Sequence, residues 1–199
     1  MKRLFILLTS AFLGAHLPAM PADLARAEEI VKSQCFVCHG EQGESSSPVF
    51  PRLAGQHAAY VERQLADYKS GRRKSNAMQP MVEGLAPADF PALGAYFEKQ
   101  PTFAHPVADP ELAQVGRYLY LRGNPDSGVP ACASCHGETG QGSATLPRLA
   151  GQHAAYVARQ LRLFDKRERT NDNAVMHAVA SRLTELELKA VASFVSGLK

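Results

Sequence analysis

The sequence has almost no charge to spare. From Asp23 onward it holds 20 Lys+Arg against 19 Asp+Glu, a net of +1. Nucleic-acid binding driven by bulk charge is thereby excluded. Long apolar runs are missing too, apart from the ten residues Leu4–Leu13, so a polytopic membrane protein is ruled out. No Gly-x-y period and no sustained heptad is present, which removes collagen-like fibres and coiled coils. Convincing strand alternation is also absent, and the apolar spacing reads as all-helical. Cysteine is scarce, with four in the chain, and only Met78, Met81 and Met176 lie beyond the amino-terminal segment. These few residues carry the functional reading.

Met1-Lys2-Arg3, the apolar run and the small and proline residues of Gly14–Ala22 have the layout of a secretory signal peptide. The run is shorter than the roughly 20 residues of a spanning helix, so cleavage is favoured over an uncleaved anchor. Residues 1–22 are assigned to the signal, with cleavage between 19 and 27. Ala25-Arg26-Ala27 is the best small-x-small match, but a cut there would remove the start of a helix running from about Asp23 into the first cysteine motif. Ala19 or Ala22 is the preferred point. The expected compartment is the periplasm.

The rest of the chain is a tandem duplication. Pro51–Leu65 recurs as Pro147–Leu161 with fourteen of fifteen positions identical, at an offset of 96. Cys35-Phe-Val-Cys-His39 recurs as Cys132-Ala-Ser-Cys-His136 at an offset of 97, and Met78 as Met176 at an offset of 98. This gives a first domain at 23–100, a proline-rich linker at 101–110 and a second domain at 111–199. Val61, Leu65 and Tyr68 fall at helical spacing, as do Val157, Leu161 and Phe164. Asp89 reads as the cap of a helix buried through Phe90, Leu93 and Phe97. Thr184 and Glu187 read as a capping box before Leu188, Val191 and Val195. Domains this small bury little core of their own.

Both Cys-x-x-Cys-His copies together consume every cysteine. Thiols at i and i+3 share one side of a helical turn, where each can form a thioether with a haem vinyl group. The next residue, a histidine, then faces the iron. The pattern predicts two covalently bound haem c groups, held by Cys35, Cys38, Cys132 and Cys135, with His39 and His136 as proximal iron ligands. Three other readings are weaker. A Cys-x-x-Cys disulfide closes a tiny loop and stabilises little. A zinc ribbon wants its second pair about 15–20 residues on, whereas Cys38 and Cys132 are 94 apart. A thioredoxin-like pair needs a βαβ setting, and none is visible.

For the sixth iron ligand, Met176 is the sole methionine of the second half, and the repeat alignment selects Met78 in the first. Met81 remains the alternative there, and core packing is the competing role for all three. His57 and His153 also repeat, but each lies only 17 or 18 residues after its haem histidine. A surface or interface hydrogen bond suits them better. His105 and His177 have no repeat partner and receive no role.

With these motifs in hand, the mature chain resembles the dihaem cytochromes c(4) of bacterial respiration. The resemblance rests on both haem motifs, the two Pro-Arg-Leu-Ala-Gly-Gln-His segments, Arg169-Thr-Asn-Asp172, Met176–Ala180 and the closing helices. It implies two tandem class I cytochrome c domains, with His39–Met78 and His136–Met176 ligation. It also implies that the carbonyls of Pro51 and Pro147 accept hydrogen bonds from the proximal histidines. Val82 departs from the second copy, which has Ala180 at the corresponding place. The implied partners are a membrane-bound respiratory donor and a haem–copper terminal oxidase.

Two saturated irons make an electron carrier with no small-molecule substrate and no turnover of its own. The alternatives are a dihaem peroxidase, which needs one iron that opens, and an electron-wiring subunit of a larger redox complex. Basic stretches at Gly71–Lys74 and Arg162–Arg169 read either as partner-docking patches or as solvated faces.

Overall fold

The computed structural model describes residues 23–199, so the export signal read at residues 1–22 lies outside the described residues. The first half runs α1 (Leu24–Ile30), a π-helical segment (Val31–Cys35), α2 (Phe36–His39), α3 (Ala58–Lys69), α4 (Met78–Glu83) and α5 (Asp89–Glu98). The second runs α6 (Pro110–Arg122), α7 (Ala133–His136), α8 (Ala154–Asp165), α9 (Val175–Ala180) and α10 (Glu185–Ser196). Among the described residues the only extended pairing is an isolated bridge between Asn124 and Val129.

Local chemistry sets the helix starts. The Asp23 carboxylate caps α1 by accepting from the Arg26 amide at 3.0 Å, and Asp109 caps α6 from the Leu112 amide at 2.9 Å, with Pro110 in the first turn. The capping box at α10 forms as the sequence predicts, with Thr184 and Glu187 exchanging side-chain and backbone bonds. Asp89 is a correction. Ala88 takes the cap position of α5 and Asp89 is its first helical residue; its carboxylate accepts from the Ala86 amide at 2.8 Å and closes the preceding turn instead.

Each half has its own core. In the first, Ala27, Ile30 and Val31 pack against Phe90, Leu93 and Phe97 of α5, with Val61 from α3. In the second, Leu119 and Tyr120 of α6 meet Leu188, Val191 and Val195 of α10, flanked by Val157, Leu161 and Phe164 of α8. The stripes read for α5, α8 and α10 are buried, whereas in α3 Val61 is buried with Gln64 and Asp67, and Leu65 and Tyr68 are only partly covered. Two glycines let helices touch: an added Cβ would sit 2.5 Å from the Ala58 carbonyl oxygen at Gly94, and 1.9 Å from the Ala190 carbonyl oxygen at Gly116.

The halves meet across an approximate two-fold, and the histidine and arginine contacts that follow have counterparts in both copies. His57 Nε2 donates to the Gln141 carbonyl at 2.7 Å, and His153 Nε2 to the Ser45 carbonyl at 2.8 Å. The interface role read for these histidines matches this geometry. Arg73 donates to Gln64 on its own half and to Tyr156 and Gln160 on the other; Arg169 donates to Gln160 on its own half and to Tyr60 and Gln64 on the other. Both arginines are buried. Of the two basic stretches, read as partner-docking patches or as solvated faces, the half-to-half contact absorbs the guanidinium of Arg73 and that of Arg169. Arg72, which is exposed, pairs with the buried Asp67 carboxylate.

The α6–α10 crossing gives a stability prediction. Gly116→Ala must push the helices apart at the Ala190 carbonyl and should cost about 1–3 kcal/mol in denaturant unfolding, a typical overpacking penalty. Gly84→Ala, where an added Cβ meets nothing within 4 Å, should be near neutral in the same titration.

Candidate functional site

Each Cys-x-x-Cys-His motif occupies one short turn that ends at its histidine. In the first half the chain enters directly from α1 through the π-helical segment. In the second, α6 stops at Gly123, and the bridged loop around Asn124 and Val129 intervenes before Cys132. Gly40 (φ 77°, ψ 160°) and Gly137 (φ 80°, ψ 153°) end the turns in a conformation only glycine adopts readily, and so set each histidine at the last helical position.

His39 and His136 are buried. His39 Nδ1 donates to the Pro51 carbonyl at 2.9 Å, and His136 Nδ1 to the Pro147 carbonyl at 3.2 Å. The bond fixes the tautomer and leaves the Nε2 lone pair available to a metal. Burial lowers the pKa of both imidazoles below the usual histidine value, and the proline carbonyl only partly opposes this, so both are neutral at physiological pH. The Phe50 ring meets His39 edge-on, with centroids 6.2 Å apart.

No disulfide joins any of the four cysteines, which leaves every thiol available for a thioether bond. Burial pushes Cys35 and Cys132 up to about 11, so neither is a reactive thiolate of the thioredoxin kind. Among the described residues no group of three or more His, Cys, Asp or Glu converges as a metal site, which removes the zinc-ribbon reading. Thiols, a neutral imidazole and a thioether together suit haem c.

The methionines separate by burial. Met78 opens α4, its amide donating to Ser75 Oγ at 3.2 Å, and its side chain packs against the first core, as those of Cys35 and Leu53 also do. Met176 packs against the second core, as Cys132 and Leu149 also do. Met81 is 44% exposed. Cys35 and Met78 thus pack on the margin of the first core, as Cys132 and Met176 do on that of the second.

His177 gains a place the sequence did not offer: its Nδ1 donates to the Phe164 carbonyl at 2.9 Å and ties α9 to α8. The residues that sequence reasoning missed are Gln56, Tyr60, Gln64 and Arg73 with their repeats Gln152, Tyr156, Gln160 and Arg169. Their identity in both copies was the available signal. One asymmetry stands out beside the motifs: Phe36 and Val37 are exposed in the first half, where the second has the smaller Ala133 and Ser134.

Comparison with known proteins places these features in a family. The Cytochrome c family model matches residues 24–119 and again 127–199. Cytochrome c4 of Thiocapsa roseopersicina is 42% identical over 189 residues, covering 92% of this chain and 97% of that one. The thiosulfate dehydrogenase electron acceptor of Thiomonas intermedia is 36% identical over 194 residues, 95% of this chain and 89% of that protein. The crystal structure of reduced recombinant cytochrome c4 from Pseudomonas stutzeri superposes with a TM-score of 0.84 at 37% identity, covering 90% of this chain and all of that one. A duplicated all-helical fold, two Cys-x-x-Cys-His turns and full-length relatives of this kind lead to one conclusion: the chain belongs to the dihaem cytochrome c4 family, an electron-transfer protein of two tandem cytochrome c domains with two covalently bound haem c groups.

Proposed function

We propose that this chain is a periplasmic carrier that takes electrons from a membrane-bound respiratory donor and delivers them to a haem–copper terminal oxidase. In this reading Cys35 and Cys38 attach one haem and Cys132 and Cys135 the other. His39 and Met78 hold the first iron, and His136 and Met176 the second. The domains span 23–100 and 111–199, joined by 101–110, after removal of a signal at 1–22.

The observation that carries the reading is the same in both halves: a buried neutral imidazole anchored through Nδ1, and a methionine packed on the same core as the first motif cysteine. The bound haem supplies the ferrous/ferric couple. The protein supplies everything that restricts it. The imidazole of His39 or His136 and the thioether of Met78 or Met176 would hold the iron, and a thioether ligand would favour the ferrous state and raise the potential. The proline carbonyl holds the ring in one orientation. Leu53 and Leu149 pack against the two cores and would present apolar surface to a bound haem.

A second reading draws on the Thiomonas intermedia relative, named as the electron acceptor of a thiosulfate dehydrogenase. This chain spans most of that protein, so service to a periplasmic dehydrogenase complex is the competing assignment.

The ligand assignment predicts a weak near-infrared sulfur-to-iron band in the oxidised protein. Met78→Ala and Met176→Ala should each remove about half of it, one ligand of two; Met81→Ala should leave it whole. Loss with Met81→Ala would move the first-half ligand. Haem attachment is also expected to support folding, since the first core is small. Cys35→Ala combined with Cys38→Ala should leave residues 23–100 protease-sensitive, and a resistant, helical, haem-free first half would refute that. The partner assignment is tested by stopped-flow mixing. Rapid oxidation of the reduced protein by a haem–copper oxidase supports the carrier. Slow oxidation there, with rapid reduction of the oxidised protein by a thiosulfate dehydrogenase supplied with thiosulfate, supports the second reading.

A further inference from the structure

The strongest unexplained feature is a pair of buried glutamines, each of which grips the backbone of the opposite half. Gln152 Oε1 accepts from the Arg52 amide at 2.9 Å, and its Nε2 donates to the Arg52 carbonyl at 2.9 Å. Gln56 repeats this on Arg148: Oε1 accepts from the amide at 2.8 Å and Nε2 donates to the carbonyl at 3.0 Å. Each Oε1 also accepts from the following histidine's amide, at 3.0 Å in the second half and 3.3 Å in the first. Both side chains are less than one-tenth exposed.

The gripped amides occupy a particular place. The Arg52 N–H belongs to the same peptide unit as the Pro51 carbonyl, and that carbonyl accepts the His39 Nδ1 proton. The result is an unbroken chain of hydrogen bonds from His39 Nδ1–H to the Pro51 carbonyl, and through the same amide from the Arg52 N–H to Gln152 Oε1. The second half repeats it from His136 through Pro147–Arg148 to Gln56. An amide is a resonant planar unit, so an acceptor on its N–H draws charge onto its oxygen. Hydrogen bonds in series strengthen one another by roughly 10–30% each. A stronger proline acceptor makes the imidazole more electron-rich, and an electron-rich ligand favours ferric iron.

From this geometry we infer that Gln152 is a positioning residue for the first redox centre and Gln56 for the second, each lowering the reduction potential of the haem in the opposite domain. The inference rests on His39 and His136 being the proximal ligands. It makes the half-to-half contact part of the tuning of each site as well as the seam between them. Loosening the seam, for instance when a partner docks across it, would raise both potentials together.

The test uses the full-length holoprotein. Spectroelectrochemical titration, followed through the haem methyl NMR signals assigned to each half, resolves the two potentials. Gln152→Leu should raise the potential of the His39 centre, shifting its reduced-to-oxidised ratio at fixed potential by up to about tenfold, which is about 59 mV for one electron. The His136 centre should stay within roughly twofold on the same scale. Gln56→Leu should do the reverse. Gln152→Asn keeps the amide but withdraws it by one methylene; it should move the His39 centre the same way by less, and serves if the leucine variant folds poorly. In the reduced protein, the His39 Nδ1 proton should exchange faster with solvent in both Gln152 variants. A glutamine that only holds the halves together would lower the unfolding midpoint without moving one potential selectively. Equal shifts at both centres, a shift in the glutamine's own half, or unmoved potentials with the sulfur-to-iron band intact would overturn the inference. Absence of that band in the unmodified protein would instead sink the ligand assignment beneath it.

Discussion

The hydrogen bond from a buried imidazole to a proline carbonyl, 2.9 Å in the first half and 3.2 Å in the second, is the contact around which each domain is arranged. It forces the loop after each Cys-x-x-Cys-His turn to double back within eleven or twelve residues. Gly40 and Gly137 make the reversal possible. The Ser45 amide bonds the His39 carbonyl at 2.8 Å, and the Gly142 amide does the same for His136 at 2.8 Å. Once that loop is placed, Leu53 and Leu149 pack against their cores, α3 and α8 begin just after His57 and His153, and the methionine helices follow.

The same loop is also the seam. Arg52, Gln56 and His57 leave it in one direction, Arg148, Gln152 and His153 in the other, and each reaches the equivalent segment of the opposite copy. Burying two arginines at this seam would be costly without partners. Arg73 and Arg169 meet the cost with tyrosine hydroxyls and glutamine carbonyls shared across the two-fold. Near-identity of the repeated segment suits this seam, because an isologous contact uses one surface twice.

Much of this was legible in the sequence. Covalent chemistry left its trace in Cys35, Cys38, Cys132 and Cys135, and the helical stripes of Val61, Phe90 and Leu188 are local periodic signals. The capping box at Thr184 was readable because capping acts over four residues. What escaped was long-range. Gln56 and Arg148 are 92 residues apart, and residues identical in two copies look like shared inheritance before they look like a contact. Arg73 sits among Arg72 and Lys74, so its burial was hidden by exposed neighbours. Asp89 was misplaced by one position because cap and first-turn aspartates have the same composition signature. The choice of Met78 over Met81 came from the repeat register alone, a signal that spans both copies.

The central claim is that the protein saturates both irons with its own side chains and therefore carries electrons without transforming a substrate. The most direct measurement is low-temperature electron paramagnetic resonance of the fully oxidised protein, before and after hydrogen peroxide. The account predicts two low-spin ferric signals of comparable weight, with no high-spin component and no change on adding peroxide. A high-spin signal from one centre, consumed as peroxide turns over, would contradict it.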